Sequence, residues 1–290
     1  MALELALEAA GVGTGHEVIV PAISFVATAS AVNRVGATPV FVDIEADTFN
    51  IDPVRVRAAI TARTRAIIAV HFGGPLADMD HLADIAEDHG LILIEDAAHA
   101  HGSEWKGRRA GSLGLAGCFS FQSSKVMTAG EGGIVITDDE ELAAAVRSLA
   151  NQGRRPGRGW FEHHRIASNY RLSGLQAAVL KAQLERLPEQ IAQRSRNAER
   201  IEELTAKVPG LHWQRRGKET TASSWYLLLG RIDIDGEGMD RNRFCAELQE
   251  RQVPCTPFYP HTLYQNPMYV RGGCRVTPCP VAEAAIRESV

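Results

Sequence analysis

Two stretches of this 290-residue chain put reactive side chains where strands should end. "LILIEDAAHAHG" (residues 91–102) closes an apolar run on Asp96, with His99 and His101 just behind it. "FSFQSSKVMTAGEGG" (119–133) sets Lys125 between an aromatic run and a cluster of glycines. Only five of the 31 lysines and arginines are lysines, so a lysine in that loop asks for a reason. Its amine, unlike a guanidinium, can lose a proton and attack a carbonyl. A carboxylate at the end of a buried strand needs a cationic partner, because desolvating it alone is costly. Each residue also has a plainer reading. Asp96 would serve as a turn cap, Lys125 as a solvated loop lysine and the glycines as a hairpin.

Taken together the residues favour one cofactor, pyridoxal 5'-phosphate. A lysine carries it as a Schiff base, and a carboxylate at the ring nitrogen keeps that nitrogen protonated and the ring an electron sink. Hydroxyls and backbone N–H groups hold its phosphate, and Ser120 offers such a hydroxyl. A freed lysine amine can then shuttle a proton between carbons. Two metal readings compete: Asp96, His99 and His101 as ligands of a hydrolytic metal, and Cys274 with Cys279 as half of a site lacking a second pair.

The elements around these residues alternate. Residues 1–10 read as a helix, 17–21 as a strand, 26–35 as a helix and 38–44 as a strand. Asp52 and Pro53 open another helix, 65–72 is a strand, "DMDHLADIAEDHG" a helix ended by Gly90, and 91–96 a strand. Nearly all-apolar strands between helices predict a parallel sheet covered on both faces. Beyond residue 100, "GCFSFQ" and "GGIVITD" are strands joined by the lysine loop, and 139–151 is a helix. A long helix runs from Leu172 to about Lys207, its stripe formed by Leu172, Leu175, Val179, Leu184, Leu187 and Ile191. Pro188 should kink it or start a new segment. "SSWYLLLGRIDI" reads as a strand and "DRNRFCAELQERQV" as a helix of a smaller α+β unit.

With 45% hydrophobic and 23% charged residues, the chain should pack as a soluble globule. A net charge of −4 gives no reason to bind nucleic acid or an anionic membrane. The uncharged stretch from Val18 to Asn33 is too short and too polar to span a bilayer. The acidic start, with Glu4 and Glu8, does not read as a secretion signal. Five irregularly spaced cysteines argue for reduced thiols and a cytoplasmic protein.

Three separated stretches carry a family resemblance: "GHEVIVPAISFVATASAVNRVGATPVFVDIEADTFNID", "IEDAAHAHGSEWKGRRAGSLGLAGCFSFQSSKVMTAGEGGIVITDD" and "SNYRLSGLQAAVLKAQLERL". The chain resembles the sugar aminotransferases of the DegT/DnrJ/StrS type, pyridoxal-phosphate enzymes of fold type I. Within them it looks nearest the cyclitol (2-deoxy-scyllo-inosose) and 3-amino-5-hydroxybenzoate groups. The resemblance implies an α/β fold with a mostly parallel central sheet. It divides the chain into a large cofactor-binding domain (1–171), a connecting helix (172–207) and a small, incomplete C-terminal α+β domain (208–290). It makes Lys125 the Schiff-base lysine, Asp96 the partner of the ring nitrogen, and His99 a neighbour of the phenolic oxygen. Ser120 would hold the phosphate and Phe25 would stack on the ring, though Phe25 reads equally as core. Asn169 would reach the cofactor of a neighbouring subunit, which implies a homodimer with shared sites. Arg171 would bind substrate or pair with a carboxylate. The expected reaction moves an amino group from glutamine or glutamate to a keto-cyclitol or keto-sugar. The family's phosphate-gripping Gly-Thr turn would precede Met1, so a catalytically impaired or regulatory relative is the alternative expectation.

Overall fold

The computed structural model describes residues 1–233 and 240–290. In chain order the first elements are α1 (Ala2–Ala9), β1 (Glu17–Pro21), α2 (Ala27–Arg34), β2 (Thr38–Val42), α3 (Pro53–Ala59), β3 (Thr64–Val70), α4 (Met79–His89) and β4 (Ile92–Asp96). These match the sequence reading to within a few residues, because the local signals are strong. The Asp52 carboxylate accepts from the Val54 N–H at 2.8 Å at the start of α3, and Gly90 ends α4 in the left-handed conformation. There follow β5 (Glu104–Trp105), β6 (Arg108–Arg109), β7 (Ala116–Ser120), β8 (Gly133–Ile136), α5 (Glu140–Ala150) and α6 (Gly174–Thr205). The last third holds β9 (Leu211–Trp213), β10 (Thr220–Ala222), β11 (Gly230–Ile232), α7 (Arg241–Glu250), α8 (Pro267–Val270), β12 (Arg275–Val276) and α9 (Pro280–Glu288).

Seven strands form the main sheet in the order β12-β2-β1-β3-β4-β7-β8. All pairings are parallel except the last, β7 with β8. Alternation along the strands feeds two cores. Val18, Val20, Ala66 and Ile68 join one with α1 and α2, while Ile19, Ile67 and Ala69 join the other with α3 and α4. The sheet is therefore covered on both faces, as its unbroken apolar strands require.

Two buried carboxylates tie distant segments to this sheet. Asp43, fully buried just past β2, accepts from the N–H groups of Val281 and Ala282 at 3.0 and 2.8 Å. It caps α9 across 238 residues of sequence, and Ala282, Ala285 and Ile286 pack into the first core. Glu95, on β4, is gripped harder. His71 Nδ1 accepts from the Ala77 N–H, so its proton sits on Nε2, which donates to Glu95 at 2.8 Å. The N–H groups of Gly111, Leu113 and Gly114 donate to the same carboxylate at 2.7, 2.6 and 2.8 Å. Gly117 makes room for this loop, since a Cβ there would stand 2.2 Å from the Gly111 Cα.

Three expectations change. Residues 223–229 are not a strand: only Gly230–Ile232 pairs, with β9, and Ile234 lies outside the described residues. The backbone and hydroxyl of Ser224 bond to Ser103 and to the His99 carbonyl, and Trp225 takes a positive φ of 48°, so no ladder can form. α6 runs through Pro188 with no restart. Its stripe is only partly inward. Leu180 and Leu187 pack on Phe121, Val126 and Met127, but Leu175 is 83% exposed. Val179 and Leu184 are exposed too.

Burial alone would push the Glu95 carboxyl up, but His71 and the N–H groups of Gly111 and Gly114 outweigh it and hold its pKa below the ordinary 4.5. A depressed carboxyl contributes stability that is full above its unfolded pKa and is lost as pH falls through the folded one. Glu95→Ala, which strands three N–H groups and His71, should cost about 3–5 kcal/mol in urea unfolding at pH 7. The stability gap between the wild type and Glu95→Ala should narrow once the pH falls below about 4. A gap independent of pH would show that the charge contributes nothing.

Candidate active site

Asp96 is the last residue of β4, where its neighbours are Val70 on β3 and Cys118 on β7. This is the carboxyl end of the parallel strands, where ligands of open α/β sheets bind. Its side chain is only 7% exposed. Oδ2 accepts from Thr28 Oγ1 at 2.7 Å, and Thr28 in turn lies 2.7 Å from Ser24 Oγ. Oδ1 accepts from the Ala98 N–H at 3.3 Å. Among the described residues no cation lies within 4.0 Å of it. Burial therefore raises its pKa, against smaller lowering by Thr28, Ala98 and Lys125.

Lys125 stands on the loop after β7, in a turn closed by its N–H to the Gln122 carbonyl at 3.0 Å. Among the described residues it too has no carboxylate within ion-pair reach. Its Nζ sits 4.3 Å from the centre of the Tyr226 ring. Tyr226 stacks at 4.3 Å on His99, and its hydroxyl meets Ser124 Oγ at 3.0 Å. Asp96, His99, Tyr226 and Lys125 thus share one end of the sheet, near enough for the lysine charge to act on Asp96 and on both histidines. After Lys125 the chain returns through Gly130 and Gly132, whose φ values of 80° and 145° suit the tight turn before β8.

His99 is buried. Its Nδ1 accepts from the Gly73 N–H at 3.3 Å, which leaves its proton on Nε2. Burial and then the charge of Lys125 hold its pKa well below the ordinary 6.5, so the ring is neutral. His101 lies between Phe119 and Phe121 at 5.2 and 5.9 Å, with the Ser120 backbone as the polar group acting on its ring. Burial and Lys125 lower its pKa to about 4. No three His, Cys, Asp or Glu side chains converge as metal ligands among the described residues. Asp96, His99 and His101 each meet different neighbours.

Ser120 ends β7, and its Oγ accepts from the Gln122 N–H at 3.3 Å. Phe25 is 59% exposed just before α2, so it is not core. Asn169 lies apart from the cluster. It is exposed, bridges to Asn151 and accepts from the Arg171 N–H at 3.2 Å. Arg171 donates to the Asn151 side chain at 2.8 Å instead of pairing with a carboxylate. Sequence reasoning missed Ser24, Thr28 and Tyr226. The i, i+4 spacing of Ser24 and Thr28 at a helix entry was a weak signal, and Tyr226 was hidden in a stretch read as strand.

A buried carboxylate and a lysine that find no opposite charge among the described residues, at one end of the sheet with a neutral histidine, suit a ligand carrying an N–H cation and a carbonyl. Pyridoxal 5'-phosphate has both, and the residues fit it.

The sequence profile of the DegT/DnrJ/EryC1/StrS aminotransferase family matches residues 1–290. The chain is 39% identical over 271 residues to GDP-perosamine synthase of Caulobacter vibrioides, covering 92% of this chain and 71% of that protein. It is 42% identical over 278 residues to L-glutamine:2-deoxy-scyllo-inosose aminotransferase of Streptomyces kanamyceticus, covering 92% and 65%. The crystal structure of 3-amino-5-hydroxybenzoic acid synthase superposes with a TM-score of 0.90 at 38% identity, covering 99% of this chain and 77% of that one. The chain thus spans about two thirds to three quarters of these relatives. With profile, relatives and fold in agreement, the chain belongs to the DegT/DnrJ/EryC1/StrS aminotransferase family, whose cofactor is pyridoxal 5'-phosphate.

Proposed function

We propose that this chain transfers an amino group from glutamine or glutamate to a keto-cyclitol or keto-sugar. The observation that carries the reading is the placement of Lys125 and Asp96 at one end of the sheet, each without an opposite charge beside it among the described residues. The bound cofactor supplies a protonated pyridine ring that draws electrons from the carbon bearing the amino group. Asp96, held by Thr28, keeps the proton on the ring nitrogen, a role that ends its own isolation as a buried charge. Lys125 would hold the cofactor through its carbonyl carbon, and its Nζ, once displaced by the incoming amine, would carry a proton between the substrate carbon and the cofactor carbon. His99 can donate only from Nε2, which suits it to a phenolic oxygen, and Phe25 offers an uncovered ring to one face. Ser120 takes part of the phosphate.

The 2-deoxy-scyllo-inosose aminotransferase supports a polyhydroxylated six-membered ketone, and GDP-perosamine synthase supports a nucleotide-linked keto-sugar. We also place the chain in the cytoplasm as a homodimer. The exposed Leu175 and Val179, one turn apart on α6, offer a second copy an apolar face close in sequence to the segment bearing Asn169.

Mixing the purified chain with pyridoxal phosphate should produce an absorbance band near the visible edge, which Lys125→Ala abolishes. Asp96→Asn should keep the band and lower turnover roughly a hundredfold or more. A band that persists in Lys125→Ala would refute the attachment. Sedimentation should give twice 31.5 kDa, reduced to one chain mass by Leu175→Glu. A monomeric wild type would contradict the dimer.

A further inference from the structure

Away from the cofactor site two thiols are in contact. Cys245, on α7, is 1% exposed, and its Sγ lies 3.3 Å from the Sγ of Cys255. Cys255 is half-buried, a few residues beyond the helix. The chain between them is already turned back. Gln252 takes a positive φ of 61°, the Val253 N–H donates to the Leu248 carbonyl at 2.9 Å, and Gln249 Nε2 donates to the Cys255 carbonyl at 2.6 Å. Both sulfurs are therefore held side by side before any bond joins them. A disulfide needs about 2.05 Å, an approach that side-chain rotation can supply.

This turn leads directly to the site. Three residues past Cys255, Phe258 packs edge-on against Phe72 with ring centres 5.2 Å apart, and Phe72 lies 5.9 Å from His99. Arg241, at the start of α7, donates to the Tyr259 carbonyl at 2.9 Å. One end of the segment is thus already tied to the helix, and the thiol pair can tie the other.

We propose that Cys245 and Cys255 form an intramolecular disulfide when a low-molecular-weight disulfide is in excess, and that this bond stiffens the Phe258–Tyr259 wall beside His99. Cys255, the accessible thiol, loses its proton and attacks one sulfur of the small disulfide, breaking that S–S bond and releasing one small thiol. Cys245 then gives up its proton, attacks the Cys255 sulfur and expels the second small thiol. Two protein thiols are oxidised by two electrons, and one small disulfide is reduced to two thiols. Burial pushes the Cys245 thiol up to about 12, so this second step is the slower one. The inference rests on the thiol geometry and stands whether or not the transamination reading holds.

The test uses the full reduced chain in glutathione buffers running from all thiol to all disulfide, followed by alkylation, peptide mass mapping and amide hydrogen exchange. The expected product is a Cys245–Cys255 crosslink lighter by two hydrogens, with Cys118, Cys274 and Cys279 still alkylated. Exchange across residues 251–259 should slow several-fold, and Cys255→Ser, at a half-exposed position, should fold and show neither change. Five alkylated thiols at every ratio, a lasting glutathione adduct on Cys255, or a bond to another cysteine would overturn the pairing. A crosslink that leaves exchange at 256–259 unchanged would overturn its link to the wall.

Discussion

A single electrostatic constraint organises one end of this molecule: the Asp96 carboxylate is buried and, among the described residues, has no cation against it. Two hydrogen bonds, from Thr28 and Ala98, offset only part of its desolvation. A core position that served stability alone would carry an apolar side chain there. In the proposed function that cost is met by a ligand that brings a positive N–H to the strand end, with Lys125 as its covalent anchor.

The fold makes that arrangement rigid. β4 alternates its two acids across the sheet, so Asp96 serves the site and Glu95 serves the scaffold on the opposite face. Through Glu95, His71 and the 111–114 loop are fixed to the strand whose next residue is Asp96. Ser224 holds the 223–229 segment against the turn that carries His99, which delivers Tyr226 to Lys125. Asp43 draws α9 onto the same sheet. Polar groups buried in pairs, more than apolar area, determine where the site residues stand.

Much of this was legible in the sequence. The helix caps at Asp52 and Gly90 and the apolar runs of β1, β3 and β4 fixed those elements, and strand-end placement brought out Asp96 and Lys125. What escaped notice depends on partners far away in the chain. Glu95 looks like any strand-end acid until its three N–H donors arrive from 111–114. Residues 223–229 carry a β-like composition, but their hydrogen bonds go to His99 and Ser103. The α6 stripe has near-helical spacing, broken by the five-residue step from Val179 to Leu184, yet Leu175, Val179 and Leu184 stay exposed. Periodicity reports which face is apolar and is silent on what covers it.

Carbon-detected NMR titration of the Asp96 carboxyl, with and without pyridoxal phosphate, bears most directly on the central claim. In the free protein the group should titrate above its ordinary value of 3.8, and cofactor binding should pull it down as a cation arrives. A free-protein value at or below the ordinary one, or no fall on binding, would contradict the account.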